Sequence, residues 1–383
     1  MIHRFGGRAA TIMIAMVLAG CGSSTPSSAP SAPAASGAPA SGAPASAAPS
    51  QETAADRIAA LETAARAGGA LNSYGMPDDW TNFGVMWQAF TAKYGLTHTD
   101  TDMSSAEEIQ KFDAEKNNPV ADIGDIGIQF GPVAIKTGVT ECYQATVWDK
   151  IPDWAKDPNG CWTGWYTGTI AFAVNKAVVP NVPQSWADLL KPEYKGKVAM
   201  SDPRTTGQGA MSFMAANFAM GGDETNLQPG FDYFKKLSDA GNFVGIAPSQ
   251  ANLEKGEAGI GLLWDYNALP ARDALAAKSV NIQVVIPSDG TTSAPYVSIL
   301  NKYGAHKDAA KLFQEYVLSD EGQIIQSKAY AHPIRSDVTL PADIAAKFPT
   351  AAEYASVKPI KDWVKAADDI ASLATDWTLT VGQ

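Results

Sequence analysis

Carboxylates and aromatic rings recur at the ends of apolar segments of this chain, where a fold can present them to a small ligand. Ser73-Tyr74-Gly75-Met76-Pro77-Asp78-Asp79-Trp80 joins a strand-like run to a long helical pattern, with Gly75 and Pro77 shaping the turn. Tyr74, Asp78 and Trp80 can face a cleft there; equally, Asp78 can cap the helix and Trp80 can be core. Asp122 and Asp125 flank a strand end and can offer carboxylates to a cation, or serve as ordinary loop-bonded aspartates. Thr205-Thr206-Gly207 precedes a helical run, where hydroxyls and N–H groups suit an anion, simple capping being the alternative. Trp264-Asp265-Tyr266-Asn267 closes an apolar strand with polar and ring-bearing groups, and Tyr296 is a further candidate. Trp162, Trp165 and Tyr166 can form a stacking wall or pack against a disulfide. Carboxylates mixed with rings fit a cation, such as a polyamine, through ion pairing and cation–π contact. Arg204 and Arg272 keep a phosphonate or sugar phosphate open, and the ring density keeps a sugar open.

The elements that must position these groups alternate. Asp79 to Tyr94 carries Trp80, Phe83, Trp87 and Phe90 at helical spacing, and Ser104 or Ser105 can cap a helix through Glu107, Glu108 and Phe112, its acidic residues suiting the dipole. Strands are expected over Ala121–Ile128, Thr169–Val174, Val198–Met200, Gly259–Trp264 and Ile282–Ile286. Helices are expected over Gly209–Met220, Ala268–Ala277, Lys307–Leu318 and Glu321–Ala329. Such alternation predicts α/β layers with ligands near the carboxyl ends of strands.

Enzyme signatures are missing. The chain has no Gly-x-Ser-x-Gly elbow, phosphate loop or His-Glu-x-x-His helix, and His98, His306 and His332 stand far apart. No cofactor or metal set is read from it. A net charge of -11 argues against nucleic acid, whose recognition needs a positive face.

Arg4 and Arg8 precede a short apolar stretch that ends in Leu18-Ala19-Gly20-Cys21, which resembles the lipobox of bacterial lipoproteins. That resemblance implies cleavage before Cys21 and lipid on its sulfur; an ordinary secretory leader with an incidental cysteine is the alternative. Gly22 to Ser50 holds only Ala, Ser, Pro and Gly apart from Thr25, a tether of roughly 30 Å with nothing to bury. In an oxidising compartment Cys142 and Cys161 read as a disulfide.

From about Ala70 to Val338 the chain resembles the solute-binding proteins of bacterial ABC importers, nearest the ferric-iron, polyamine and phosphonate-type binders. Ala171-Phe172-Ala173-Val174-Asn175-Lys176, then Pro183-Gln184-Ser185-Trp186-Ala187-Asp188-Leu189-Leu190, carry the likeness. Tyr194-Lys195-Gly196-Lys197-Val198, Asp202-Pro203-Arg204, Ser319-Asp320-Glu321-Gly322-Gln323 and Pro333-Ile334-Arg335 continue it in order. The resemblance implies a two-lobed type II periplasmic-binding-protein architecture, each lobe a mostly parallel sheet flanked by helices, joined by crossover strands and closing on ligand. On that reading residues 1–20 are a leader and 21–50 the lipidated cysteine and tether. Lobe one takes 51–170 and 287–330, lobe two 171–286, and 331–383 is a helical segment of unassigned lobe. Relatives place lobe-two contacts near Trp264–Asn267, and ferric binders offer two adjacent tyrosines where this chain has Tyr266-Asn267, which lowers the case for iron. The implied partners are a small polar solute, an ABC permease with its ATPase subunits, and a membrane through the lipid anchor, the protein being a monomer outside the cytoplasm. A lipid-anchored hydrolase and a ligand-free surface scaffold are the competing readings.

Overall fold

Alternating apolar strands and amphipathic helices fold residues 53–382, those described by the computed structural model, into a mixed α/β body. The leader, Cys21 and the tether lie outside the described residues. The strands are β1 (Ala70–Tyr74), β2 (Thr97–Thr101), β3 (Ile123–Gly127), β4 (Thr140–Glu141), β5 (Thr163–Asn175) and β6 (Val198–Met200). They continue with β7 (Phe243–Val244), β8 (Ile260–Trp264), β9 (Ile282–Val285), β10 (Ser293–Asn301) and β11 (His332–Pro333). Their order is β2-β1-β3-β10-β5-β8-β6-β7. Strands β2, β1 and β3 run parallel in one lobe, and β8, β6 and β7 run parallel in the other.

Strand β5 is longer than its sequence pattern predicts because it serves both lobes. Residues Thr163 to Thr169 pair antiparallel with β10, and Ile170 to Val174 pair antiparallel with β8. Every residue of β5 except Thr167 is buried, so no polar alternation marks its first half as strand. The crossover is pinned by Asp265, a fully buried carboxylate that accepts from the Thr169 and Tyr266 amides at 3.0 and 2.9 Å. His332 Nε2 and the Tyr354 hydroxyl each lie 2.8 Å from the second oxygen of that carboxylate.

The first long helix starts at Phe83, later than the periodicity from Asp79 predicts, because Thr81 and Asn82 take φ of +42° and +66°. Its buried face builds the aromatic core of lobe one: Trp87 stacks on Phe313 at 3.9 Å and on His98 at 3.5 Å. The C-terminal segment touches both lobes. Helix Trp363–Ala371 packs on the Ile128–Phe130 turn and the Gly131–Thr137 helix of lobe one. Helix Leu373–Val381 packs on the Gln228–Asp239 helix of lobe two, where Trp377 meets Phe213, Phe234 and Phe243.

Cys142 and Cys161 are bonded across a sequence separation of 19. Closing a loop of that size removes unfolded-state entropy worth about 3 kcal/mol. A Cys142→Ser/Cys161→Ser variant is therefore expected to lose about 3 kcal/mol in denaturant unfolding. A loss below about 0.5 kcal/mol shows instead that the loop is held by its packing alone.

Candidate functional site

Between the lobes lies a cavity of about 310 Å³, built where strands end and helices begin. Lobe one supplies the Gly75–Trp80 turn after β1, Ser104 and Ser105 at the start of helix Ser105–Ala114, and Asp125 in the middle of β3. Lobe two supplies Ser201 after β6 and Thr206, Gly207 and Gln208 at the start of helix Gly207–Ala219. Tyr296 of β10 lines the cavity beside the crossover. Two helix N-termini thus open on one space, with first-turn N–H groups that have no partner inside their helices.

Four carboxyl groups share this lining: Asp79, Asp102, Glu108 and Asp125. Among the described residues no lysine, arginine or histidine lines it. Asp79 and Asp102 are exposed at the rim, whereas Glu108 and Asp125 are 1% and 2% exposed. Asp125 accepts from the Trp165 indole at 2.8 Å, the Trp80 indole at 3.2 Å and the Tyr166 hydroxyl at 2.6 Å. Burial pushes the Asp125 carboxyl above its ordinary value while those donors pull it down. Glu108 has only one such contact, its Oε2 accepting from the Asp125 amide at 3.0 Å. Burial, and then the neighbouring Asp125 charge, raise its carboxyl well above the usual range.

Glu108 fits because two neighbours are glycines. A Cβ on Gly75 or Gly124 would sit 2.4 Å from a Glu108 carboxyl oxygen, and Gly75 also holds φ of +72°. The loop carrying Trp80 is fixed by Asp100, which accepts from the Met76 amide at 3.1 Å and the Ser73 hydroxyl at 2.6 Å.

Of the residues singled out from sequence, the fold brings Trp80, Asp125, Thr206 and Tyr296 to the cavity wall. Tyr166, Trp264 and Tyr266 form the ring layer behind them: Tyr166 stacks on Tyr296 at 5.6 Å and Trp264 stacks on Tyr266 at 5.7 Å. Trp80 stands edge-on to Tyr266 at 5.5 Å, and beyond Trp80 a second space of about 450 Å³ is lined by Asp78, Tyr266 and Asn267.

The fold takes four others elsewhere. Tyr74 donates to Glu115 at 2.6 Å with its ring on Phe112, a core position. Asp122 sits just before β3, whose middle residue is Asp125, and Asp122 accepts from the Asn72 and His306 amides at 2.9 and 2.8 Å. Thr205 is exposed, one residue short of the cap, and Asp265 serves the crossover. Arg204 and Arg272 pair with Asp202 and Asp273 away from the cavity.

Sequence reasoning passed over Glu108, reading it as an acid that suits the helix dipole. A signal was present: Ser105, Glu108, Ile109 and Phe112 fall at i, i+3, i+4 and i+7, and all four are buried. Glu107, by contrast, caps: its carboxylate accepts from the Ser104 amide at 2.9 Å. Ser201 and Gln208 were also missed, since isolated polar residues carry no sequence pattern.

Comparison with known proteins places this geometry. The family model described as bacterial extracellular solute-binding protein matches residues 118–363. An uncharacterized protein of Haemophilus influenzae is 34% identical over 253 residues, which cover 62% of this chain and 69% of that protein. A putative 2-aminoethylphosphonate-binding periplasmic protein of Salmonella typhimurium is 27% identical over 304 residues, 76% of this chain and 84% of its own length. Among solved structures, the periplasmic binding protein AfuA from Actinobacillus pleuropneumoniae, with exogenous fructose-6-phosphate bound, superposes with a TM-score of 0.68 at 23% identity. That match covers 82% of this chain and 99% of AfuA, and it carries the type II periplasmic-binding-protein fold.

Proposed function

The chain belongs to the bacterial extracellular solute-binding proteins, and from that premise we propose that it captures a small solute with an oxyanion at one end and an amine at the other. It is the extracytoplasmic solute-binding component of an ABC importer. The observation that carries the reading is a single cavity lined by two helix N-termini and four carboxyl groups. A linear polyamine satisfies the acids but leaves the N–H and hydroxyl donors without an acceptor. A plain phosphate or sulfate does the reverse. An amphoteric solute answers both, with its amine at the Asp79 and Asp102 rim beside the Trp80 ring and its oxyanion between the helix starts. The 2-aminoethylphosphonate named for the Salmonella relative has that chemistry.

The solute is passed on unchanged to a permease driven by ATPase subunits, and the protein acts as a monomer held to the membrane through lipidated Cys21. Binding without catalysis is supported by a place among the described residues where serine, histidine and aspartate meet. Ser73 Oγ lies 2.9 Å from His98 Nε2 but donates to Asp100, so the aspartate contacts the serine and leaves the imidazole unoriented. That serine is 1% exposed. A ferric site gains no support: among the described residues no three acidic, histidine or cysteine groups stand close enough together to hold a metal ion.

Calorimetry and thermal shift with 2-aminoethylphosphonate, an ω-amino acid, spermidine, sulfate and a hexose phosphate test the reading. An amphoteric solute at a thousandfold excess over its Kd is expected to stabilise by about 4 kcal/mol. Spermidine or ferric ion binding alone, with no response to any amphoteric probe, overturns it.

A further inference from the structure

We infer that Glu108 is a neutral carboxylic acid whose Oε1–H donates a hydrogen bond to the oxyanion of the solute. This rests on the amphoteric reading and deepens it, by assigning which wall of the cavity takes the anionic end. Donor and acceptor bookkeeping leads there. Asp125 accepts from Trp165 on one oxygen and from Tyr166 on the other, while the Trp80 indole proton is shared between that second oxygen at 3.2 Å and the Tyr166 hydroxyl oxygen at 2.7 Å, so both Asp125 oxygens are already engaged as acceptors. Glu108 Oε2 accepts from the Asp125 amide, which leaves Oε1 as the place for a proton. Oε1 is buried and has no partner in the protein, although Glu108 lines the cavity. Two adjacent buried carboxyls cannot both be charged cheaply, and the one lacking donors keeps its proton.

Neighbouring groups are donors too. Ser105 Oγ accepts from the Gly127 amide at 3.1 Å, which leaves its own proton to give. Ser201 Oγ, across the cleft, accepts from Gln208 Nε2 at 3.0 Å and is left in the same state. Gln208 is oriented by its own Oε1, which accepts from the Trp264 amide at 3.2 Å and Asn267 at 3.1 Å. Three side-chain hydroxyl donors and two helix starts thus surround one space, and none of the three hydroxyl protons is given to an acceptor within the protein. A carboxylate or phosphonate supplies the missing acceptors. A protonated side-chain acid used as a donor in an apolar setting has precedent in enzyme oxyanion sites.

The test compares wild type with Glu108→Gln and Glu108→Leu, using 2-aminoethylphosphonate and an ω-amino acid as probes. Glutamine keeps a donor and no charge, so its affinity is expected within about threefold of wild type, whereas leucine loses about tenfold or more. As pH rises, Glu108 ionises and turns from donor to repeller, so wild-type affinity falls relative to Glu108→Gln. The ratio cancels titration of the probe, while Asp79, Asp100, Asp102, Asp125 and Tyr296 face the same acid, and those coupled to it report its charge through the same ratio. Should either variant fail to fold, the infrared carbonyl band of a protonated acid in unliganded wild type decides, and its absence overturns the inference. Loss of binding by about a hundredfold in Glu108→Gln, with affinity rising at high pH, makes Glu108 a charged partner of the amine. That result overturns the inference while leaving the amphoteric reading in place. Wild type binding spermidine and neither amphoteric probe overturns both.

Discussion

Asp125→Ala is expected to lower the unfolding free energy by roughly 3–6 kcal/mol and to abolish solute binding. The magnitude follows from what the substitution strands. The Trp165 indole N–H and the Tyr166 hydroxyl, both fully buried, donate to this carboxylate, and the Trp80 indole N–H shares it at 3.2 Å with the Tyr166 hydroxyl oxygen at 2.7 Å. Each buried donor left without an acceptor costs about 1–3 kcal/mol, and water cannot replace the lost partner without opening the core. Binding fails for a separate reason. Trp80 is the ring that divides the cleft, and Asp125 is one of the groups that fixes its indole. Asp125→Asn, which keeps one acceptor oxygen, is expected to fall between wild type and alanine. Equilibrium denaturation of the three proteins measures this; an alanine variant within about 1 kcal/mol of wild type and still binding solute means the donors have found other partners.

The second large effect lies far from the cavity. Trp377→Ala is expected to cost roughly 3–5 kcal/mol, as for other buried large-to-small changes, and to free the C-terminal helix. Trp377 is 2% exposed and is enclosed by Phe213, Phe234 and Phe243 of lobe two. Its helix is tied there also by the Arg204 guanidinium, which donates to the Thr378 hydroxyl at 2.6 Å. The preceding helix holds lobe one through the Ile128–Phe130 turn, so the pair spans the two lobes as a strap. Freed at one end, the strap no longer resists separation of the lobes, and solute should leave faster. Hydrogen exchange over 373–381 and stopped-flow dissociation check both halves of the expectation. Unchanged protection in that helix would show that the tryptophan is not what holds it.

Much of the fold is legible in the residues because strand and helix periods are local properties. Val198–Met200 ends where its pattern ends, and Lys307–Val317 differs from expectation by one residue. Strand β10, helix Gln228–Asp239 and the first half of β5 go unread, whereas 331–383 is read as helical without the bounds of Trp363–Ala371 and Leu373–Val381. β10 is buried at all but its first position and opens beside Pro295, so neither alternation nor a clean propensity run marks it. The site is less legible than the fold. Trp80, Asp125, Thr206 and Tyr296 are found because large rings and strand-end acids are conspicuous in a sequence. Glu108 is hidden by an adjacent capping residue of the same type: Glu107 explains the acidic first turn, and its neighbour inherits the explanation. Asp122 and Asp125 look alike in sequence, three residues apart, yet Asp125 meets the cavity and Asp122 anchors the start of the Lys307–Val317 helix through His306.

Strand order also dictates when this molecule can become itself. β10 lies between β3 and β5, so the sheet of the amino-terminal lobe stays split, with an unsatisfied edge on β3, until residues near 300 are available. The other lobe, whose strands all lie within residues 170–285, can pair its sheet earlier. Assembly of the amino-terminal lobe thus waits on the last third of the polypeptide, a slow, long-range closure during which that edge stays open to other strands.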